Sequence, residues 1–310
     1  MGCVVAIFGP TASGKTAVAV RLAHLIGPAE IVSADSMQIY RGLEAITNQP
    51  TMDEREGVPH HLLGCVEPDE PYDVVRYADA AHAAIDGILA RGATPIVAGG
   101  SGLYLRAALA DIDFPPPAGE ERRRRLRDEV AASGPEAAHA RLTAVDPAAA
   151  ARIDPADARR IVRALELAEA GASLAPMGDH ALWTTATRRP TRLFGLVVDR
   201  AELRRRIDAR TPALLERGAA QVRDLLAAPD GLSDTAARAH GVDDIRALLA
   251  SEIDEEECER RLATRTRQYA KRQDTWRRRL PALEPVPADG DADEVARAIA
   301  ARLADEPRYD

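Results

Sequence analysis

The octapeptide Gly9-Pro10-Thr11-Ala12-Ser13-Gly14-Lys15-Thr16 constrains the fold more than any other feature of the chain. It fits the pattern Gly-x-x-x-x-Gly-Lys-Ser/Thr. Before it lies a short apolar, β-branched run, Cys3 to Phe8; after it, Val18, Leu22 and Leu25 recur at helical spacing until Gly27-Pro28. A buried strand feeding such a turn, with a helix leaving it, is the start of a parallel sheet. In that setting the glycines let the backbone close into a cup of N–H groups, and the helix N-terminus adds positive dipole. Arginine has replaced lysine almost everywhere else, Lys271 excepted, so Lys15 stands out as a mobile cation for an outer phosphate.

The rest of the chain extends this α/β reading. Glu30 to Ala34 is a second expected strand, leaving Asp35 at its carboxyl end, where ligands bind in open α/β sheets. Residues 41–73 carry turn-formers and little periodicity. Val74 to Ala90 places Val75, Ala78, Ala81, Ile85 and Leu89 on one helical face, with Gly92 as its cap. Pro95 to Ala98 is a third strand, running into Gly99-Gly100-Ser101-Gly102 and a short helix to Leu109.

Pro115-Pro116-Pro117 marks a boundary, since consecutive prolines fit neither a helix interior nor a ladder. Beyond it, residues 120–170 read as three helices with turns at Ser133-Gly134-Pro135 and Asp146-Pro147, residues 171–191 as a loop, and Leu193 to Val198 as a fourth strand. Helices are expected from Ala201 to the end, the longest from about Asp254 to Arg279. The expected architecture is a P-loop NTPase-like parallel sheet flanked by helices, with an inserted all-helical subdomain. Residues 1–114 form the first part of the catalytic core, 115–190 the insertion and 191–310 the completion of the core.

At 46% hydrophobic and 29% charged, the 310 residues have the composition of a globular protein. No apolar run approaches the ~18 residues of a membrane span, so the expectation is a cytoplasmic protein with no membrane partner; a monomer is expected as well. Three cysteines without a Cys-x-x-Cys pair indicate neither a disulfide framework nor a zinc ribbon and read as buried thiols. The net charge of −8 hides local basic faces, with arginines clustered at residues 122–125, 204–206 and 260–279.

In the expected site, Gly9, Thr11, Ala12, Ser13, Gly14 and Lys15 surround a ligand's phosphates and the Thr16 hydroxyl ligates Mg²⁺. A kinase would add an acidic metal partner at a strand end. The third strand ends in glycines and Ser101 instead, although Asp35 could fill that role and keeps a kinase open. Opposite the cup, Asp35 suits a general base, and Ser36 and Gln38 could read the edge of an extruded base.

Six segments together resemble the tRNA dimethylallyltransferase family: Gly9 to Thr16, Ser33 to Gly42, Val58 to Leu62, Gly99 to Tyr104, Asp157 to Glu166, and Thr266 to Gln273 with Trp276. The resemblance spans about residues 3–280, in order. It implies transfer of a dimethylallyl group from dimethylallyl diphosphate to the N6 amine of the adenosine 3′ of the anticodon. By this likeness Asp35 takes the amine proton, with Ser101 and Lys15 beside it. Ser36, Met37 and Gln38 hold the adenine, and Arg159, Arg160, Ile161, Val162 and Arg163 touch the tRNA anticodon stem-loop. Arg272, in the basic C-terminal helix, joins them, and Arg206, with Arg210, is a candidate for the diphosphate.

The stretch Glu44 to Pro50, the segment Ala239-His240-Gly241-Val242 and Ser101 depart from the usual pattern. Pro59 to Gly64 and Ser101 resemble the adenylate dimethylallyltransferases, whose acceptor is AMP or ADP. The inserted helices and the basic C-terminal helix, which a mononucleotide would not need, favour tRNA.

Overall fold

The computed structural model describes residues 2–115, 119–175, 182–229 and 231–305; Pro116, Pro117 and part of the expected 171–191 loop lie outside them. The chain divides into two compact units, Met1–Asp111 with Thr185–Asp310, and Ile112–Thr184. The expected insertion, 115–190, therefore starts and ends a few residues earlier.

The larger unit opens with β1 (Val4–Phe8), α1 (Lys15–Ile26) and β2 (Ala29–Ser33). It continues through a one-turn helix α2 (Met52–Arg55), a two-residue strand β3 (His60–His61), α3 (Val74–Ala90), β4 (Thr94–Gly99) and α4 (Gly102–Leu109). The smaller unit holds α5 (Glu120–Ser133), α6 (Pro135–Val145), α7 (Pro147–Ala150) and α8 (Ala158–Glu169). The chain then adds β5 (Thr191–Val197), α9 (Arg200–Ala227), α10 (Val242–Leu249), α11 (Glu255–Arg279), β6 (Leu283–Pro287) and α12 (Ala292–Ala304) to the larger unit.

Six strands pair in the order β3-β2-β4-β1-β5-β6, every pair parallel. All five residues of β1 are buried, as its unbroken apolar sequence requires of a central strand covered on both faces. Val5, Ile7, Leu22, Ile31, Ile96, Phe194 and Val286 pack with Val295 and Ile299 of α12 into the main core. Strand order reverses at β1, which lies between β4 and β5, so the carboxyl ends of β1 and β4 border the crevice where such sheets bind ligands.

Two strands escape the sequence reading. β6 carries Pro285 and Pro287, which argue against a strand unless it lies at an edge, where β6 does lie. β3 is only two residues long, and its histidines are held locally: the His60 ring bonds the Val58 carbonyl at 2.8 Å and His61 meets Glu30 at 2.7 Å. Cys3 and Cys65 are exposed, contrary to expectation, because they occupy a strand approach and a loop; Cys258, inside α11, is buried.

In the smaller unit α5, α6 and α8 enclose their own core of Leu126, Val130, Leu142, Ile161, Val162 and Leu165. Gly134 and Asp146 stand at the helix junctions, Asp146 capping α7 by accepting from the Ala149 N–H at 3.0 Å.

Candidate active site

The cup is built by the turn between β1 and α1. Ala12 and Gly14 both adopt left-handed backbone, φ 63° and 83°, which turns successive N–H groups toward one concavity. Gly14 is the N-cap of α1 and contributes no side-chain cap, so the first N–H groups of the helix face outward. Within the turn the Ser13 hydroxyl is buried yet meets no hydrogen-bond partner among the described residues. An orphaned donor of this kind fits an anion that brings its own oxygens. Lys15 donates through Nζ to the Pro10 carbonyl at 2.9 Å. Loss of water around its ammonium lowers its pKa to about 8, against the Asp35 charge, which raises it, while nearby Arg210 lowers it further.

Asp35 follows β2 directly, and its Oδ1 accepts from the Met37 N–H at 2.9 Å, which fixes the carboxylate in a tight turn. Its charge reaches Lys15, Tyr104, Tyr269 and His240, whose ionisations it perturbs; both tyrosines are pushed up, chiefly by burial. The expectation that Gln38 reads a base edge meets a correction. Its amide donates to the carbonyls of Thr47 and Asn48, at 3.3 and 3.0 Å, and accepts from Ser33 at 3.2 Å. With its hydrogen bonds made inside the protein, Gln38 braces the following loop.

On the other flank, Gly99 ends β4 so close to β2 that a Cβ would lie 2.1 Å from the Ala34 carbonyl oxygen. Ser101 is the N-cap of α4, and its side chain makes no capping hydrogen bond. Gly102 admits the Trp276 indole from α11, since a Cβ there would come within 2.1 Å of the ring.

Two C-terminal helices reach the cup. Arg210 of α9 donates to the Thr11 hydroxyl at 3.0 Å, and burial lowers its pKa. Arg206, expected at the diphosphate, points elsewhere: Glu202, one turn earlier, takes its Nε at 2.6 Å, and the carbonyls of Ala288 and Asp289 take the rest of its fork. From α11, Gln273 accepts from the Thr11 N–H at 2.7 Å. Beside it the Tyr269 ring meets that of His240 at a tilt of 50°, centroids 4.4 Å apart, with the Arg272 guanidinium 5.7 Å from the tyrosine ring.

The run Arg159 to Arg163 divides by helical geometry. Arg159 and Arg160 are exposed, whereas Ile161 and Val162 are buried in the small core and offer no side chain to a ligand. Arg163 pairs at 3.0 Å with Glu166, itself only 1% exposed and also held by Arg123 at 2.9 Å. Sequence reasoning offered Arg206 together with Arg210 and had no means of ranking them, and it missed Gln273 in this role altogether; its partner Thr11 is 262 positions away.

No cluster of three or more His, Cys, Asp or Glu residues capable of holding a metal occurs among the described residues. A cation at Thr16 would therefore draw most of its oxygens from a bound diphosphate, which is how P-loop sites commonly hold one.

A glycine-bearing cup at the sheet's switch point, with one carboxylate in electrostatic reach of its lysine, is the arrangement of a P-loop transferase. The assignment narrows further. The family model for IPP transferase matches residues 38–280 and that for isopentenyl transferase residues 2–63. This chain belongs to the IPP transferase family. It is 46% identical over 300 residues to a tRNA dimethylallyltransferase of Anaeromyxobacter dehalogenans, covering 96% of this chain and 99% of that one. A tRNA dimethylallyltransferase of Kineococcus radiotolerans is 43% identical over 305 residues, with 96% and 95% covered. Among solved structures, the tRNA isopentenylpyrophosphate transferase of Bacillus halodurans is similar with a TM-score of 0.71 at 33% identity, covering 98% of this chain and 96% of that one. A eukaryotic dimethylallyltransferase acting on tRNA gives 0.79 at 26% identity, over 100% and 81%.

Proposed function

We propose that this chain transfers the dimethylallyl group of dimethylallyl diphosphate to the exocyclic N6 amine of the adenosine 3′ of the anticodon in tRNA, releasing diphosphate. The observation that carries the reading is the placement of the Asp35 carboxylate within the electrostatic reach of Lys15 in the cup. A base and a leaving-group site facing one another are what an alkyl transfer needs. The names of the relatives support tRNA as acceptor.

In the reaction, the N6 amine attacks C1 of the donor, a proton passes from N6 to an Asp35 carboxylate oxygen, and the C1–O bond breaks. Its electron pair leaves with the diphosphate, which the N–H groups of the turn, the Ser13 hydroxyl and Lys15 receive. Fixed donors aimed at the developing charge form the largest part of such catalysis. Arg210 stands at the cup's rim and adds a second cation, and the Ser101 hydroxyl faces the reacting groups. Mg²⁺, bound by Thr16 and the diphosphate itself, would supply further positive charge to the leaving group. The tRNA reaches this site with Ser36 and Met37 beside the adenine and with Arg159, Arg160 and Arg272 on its phosphates. A tRNA acceptor is in keeping with work in the cytoplasm, and no described helix is long and apolar enough to cross a membrane. A monomer suffices, since one chain supplies every group named.

The test is incubation with radiolabelled dimethylallyl diphosphate and either tRNA or AMP. Label should enter tRNA and be lost in Asp35→Asn while donor binding persists. Labelling of AMP in preference to tRNA, or undiminished transfer in Asp35→Asn, would end this reading.

A further inference from the structure

Gln273 joins two parts of the site that no sequence motif joins. Its side chain is buried, and both ends of its amide are used: Oε1 accepts from the Thr11 N–H at 2.7 Å and Nε2 donates to the Gly100 carbonyl at 3.0 Å. The amide occupies the space a side chain at residue 100 would need, for a Cβ there would lie 2.2 Å from Nε2. One residue of α11 thus bridges the turn after β1 to the turn after β4.

This changes what the cup can do. The Thr11 N–H is taken by Gln273 and the Thr11 hydroxyl by Arg210, so the outer half of the loop is fixed by helices from the far end of the chain. Ser13 to Thr16 remain for the anion. On the same face of α11, Tyr269, Arg272, Gln273 and Trp276 follow one another at helical spacing. Tyr269 packs at a tilt against His240 and feels the Asp35 charge, and Arg272 lies by its ring. A single helix therefore bears both the acceptor-facing groups and the clamp on the donor cup.

We propose that Gln273 is a positioning residue that couples the two substrates: RNA bound against Tyr269 and Arg272 sets α11, and α11 sets the cup through the Gln273 amide. This rests on the tRNA reading given above. By linkage, diphosphate must then alter the affinity for RNA by the same factor as RNA alters the affinity for diphosphate.

The experiment is calorimetric titration of inorganic diphosphate with Mg²⁺ into the full chain, with and without a saturating anticodon stem-loop RNA, for the parent, Gln273→Met and Gln273→Glu. In the parent, RNA should change diphosphate affinity by a factor on the order of 5–100. Gln273→Met keeps the length and loses both hydrogen bonds, and its factor should fall to about one. Gln273→Glu retains an acceptor for Thr11 but loses the donor to Gly100; its factor should fall by at least about threefold, and it decides the matter if the methionine variant does not fold. A parent factor of one, or an undiminished factor in the folded variants, overturns the proposal. A parent that transfers no label to tRNA overturns the functional reading instead, so the two failures are distinct.

Discussion

Substituting Gly99 by alanine tests whether the site is held by the sheet beneath it. The added Cβ would lie 2.1 Å from the Ala34 carbonyl oxygen and 2.5 Å from its carbon, where ordinary contact begins at 3.4 Å. Both obstacles are backbone, so no side chain can swing aside. One strand end must retreat by about 1 Å, an overpacking that costs about 1–3 kcal/mol. The Ala34 N–H bond to the Ala98 carbonyl, 2.8 Å long, is strained by the same movement. Unfolding should shift down by a few degrees, at about 2 °C per kcal/mol for a chain of this size. Catalysis should suffer more, because Asp35 is the next residue along and a misplacement of about 1 Å can cost on the order of 100-fold in rate. The start of the cup is also tied to this strand end, the Gly9 N–H donating to the Gly99 carbonyl at 3.3 Å, so KM for the donor should rise while kcat falls about 100-fold. Steady-state transfer of labelled dimethylallyl to tRNA, with calorimetric unfolding of the same sample, measures both. A folded Gly99→Ala protein with the parent's kcat would refute the claim that this contact places the carboxylate.

Lys15→Met should stabilise the protein at neutral pH. The folded pKa of Lys15 is lowered from 10.5 to about 8, so its charged form is a cost to the fold below about 8 that disappears as pH rises to 10.5. At 1.36 kcal/mol per decade of proton affinity the gain is at most about 3 kcal/mol and should close by the upper pH; unfolding of both proteins across that range checks it, and a constant gap refutes it. Arg210→Met should raise the donor KM by about tenfold and Arg206→Met by far less, since only Arg210 meets Thr11; equal effects in steady-state kinetics would contradict the geometry. Glu166→Ala leaves Arg123 and Arg163 without their buried partner and should destabilise the helical unit by about 3 kcal/mol, read from hydrogen exchange in α8.

The catalytic half of the fold was legible because its signals are local. The β1 turn, the helices α1 and α3, and the long α11 each declare themselves within a few residues, by glycine placement, apolar spacing or capping. β6 was not legible, because prolines 285 and 287 are strand breakers everywhere but at an edge, and edge position is a property of the assembled sheet. The choice between Arg206 and Arg210 turned on Glu202 and on two carbonyls beyond position 285, which spacing cannot reveal. Gln38 looked free to read a base until the loop at Thr47 and Asn48 folded over it. Ile161 and Val162 lie between Arg160 and Arg163 in sequence but are buried in the core of the smaller unit, so a contiguous stretch misled where burial separates its members.

The prolines of β6 bear on how the molecule keeps its own company. Pro285 and Pro287 are two apart, so in a strand their nitrogens point to the same side, and neither carries a hydrogen. The ladder to β5 is complete through Gly195 and Val197 and their neighbours, and the outer margin of the sheet is left short of donors. A stray strand from another chain would find carbonyls there but little to bond its own, so the sheet stops growing at six strands and resists templated stacking when the protein is crowded.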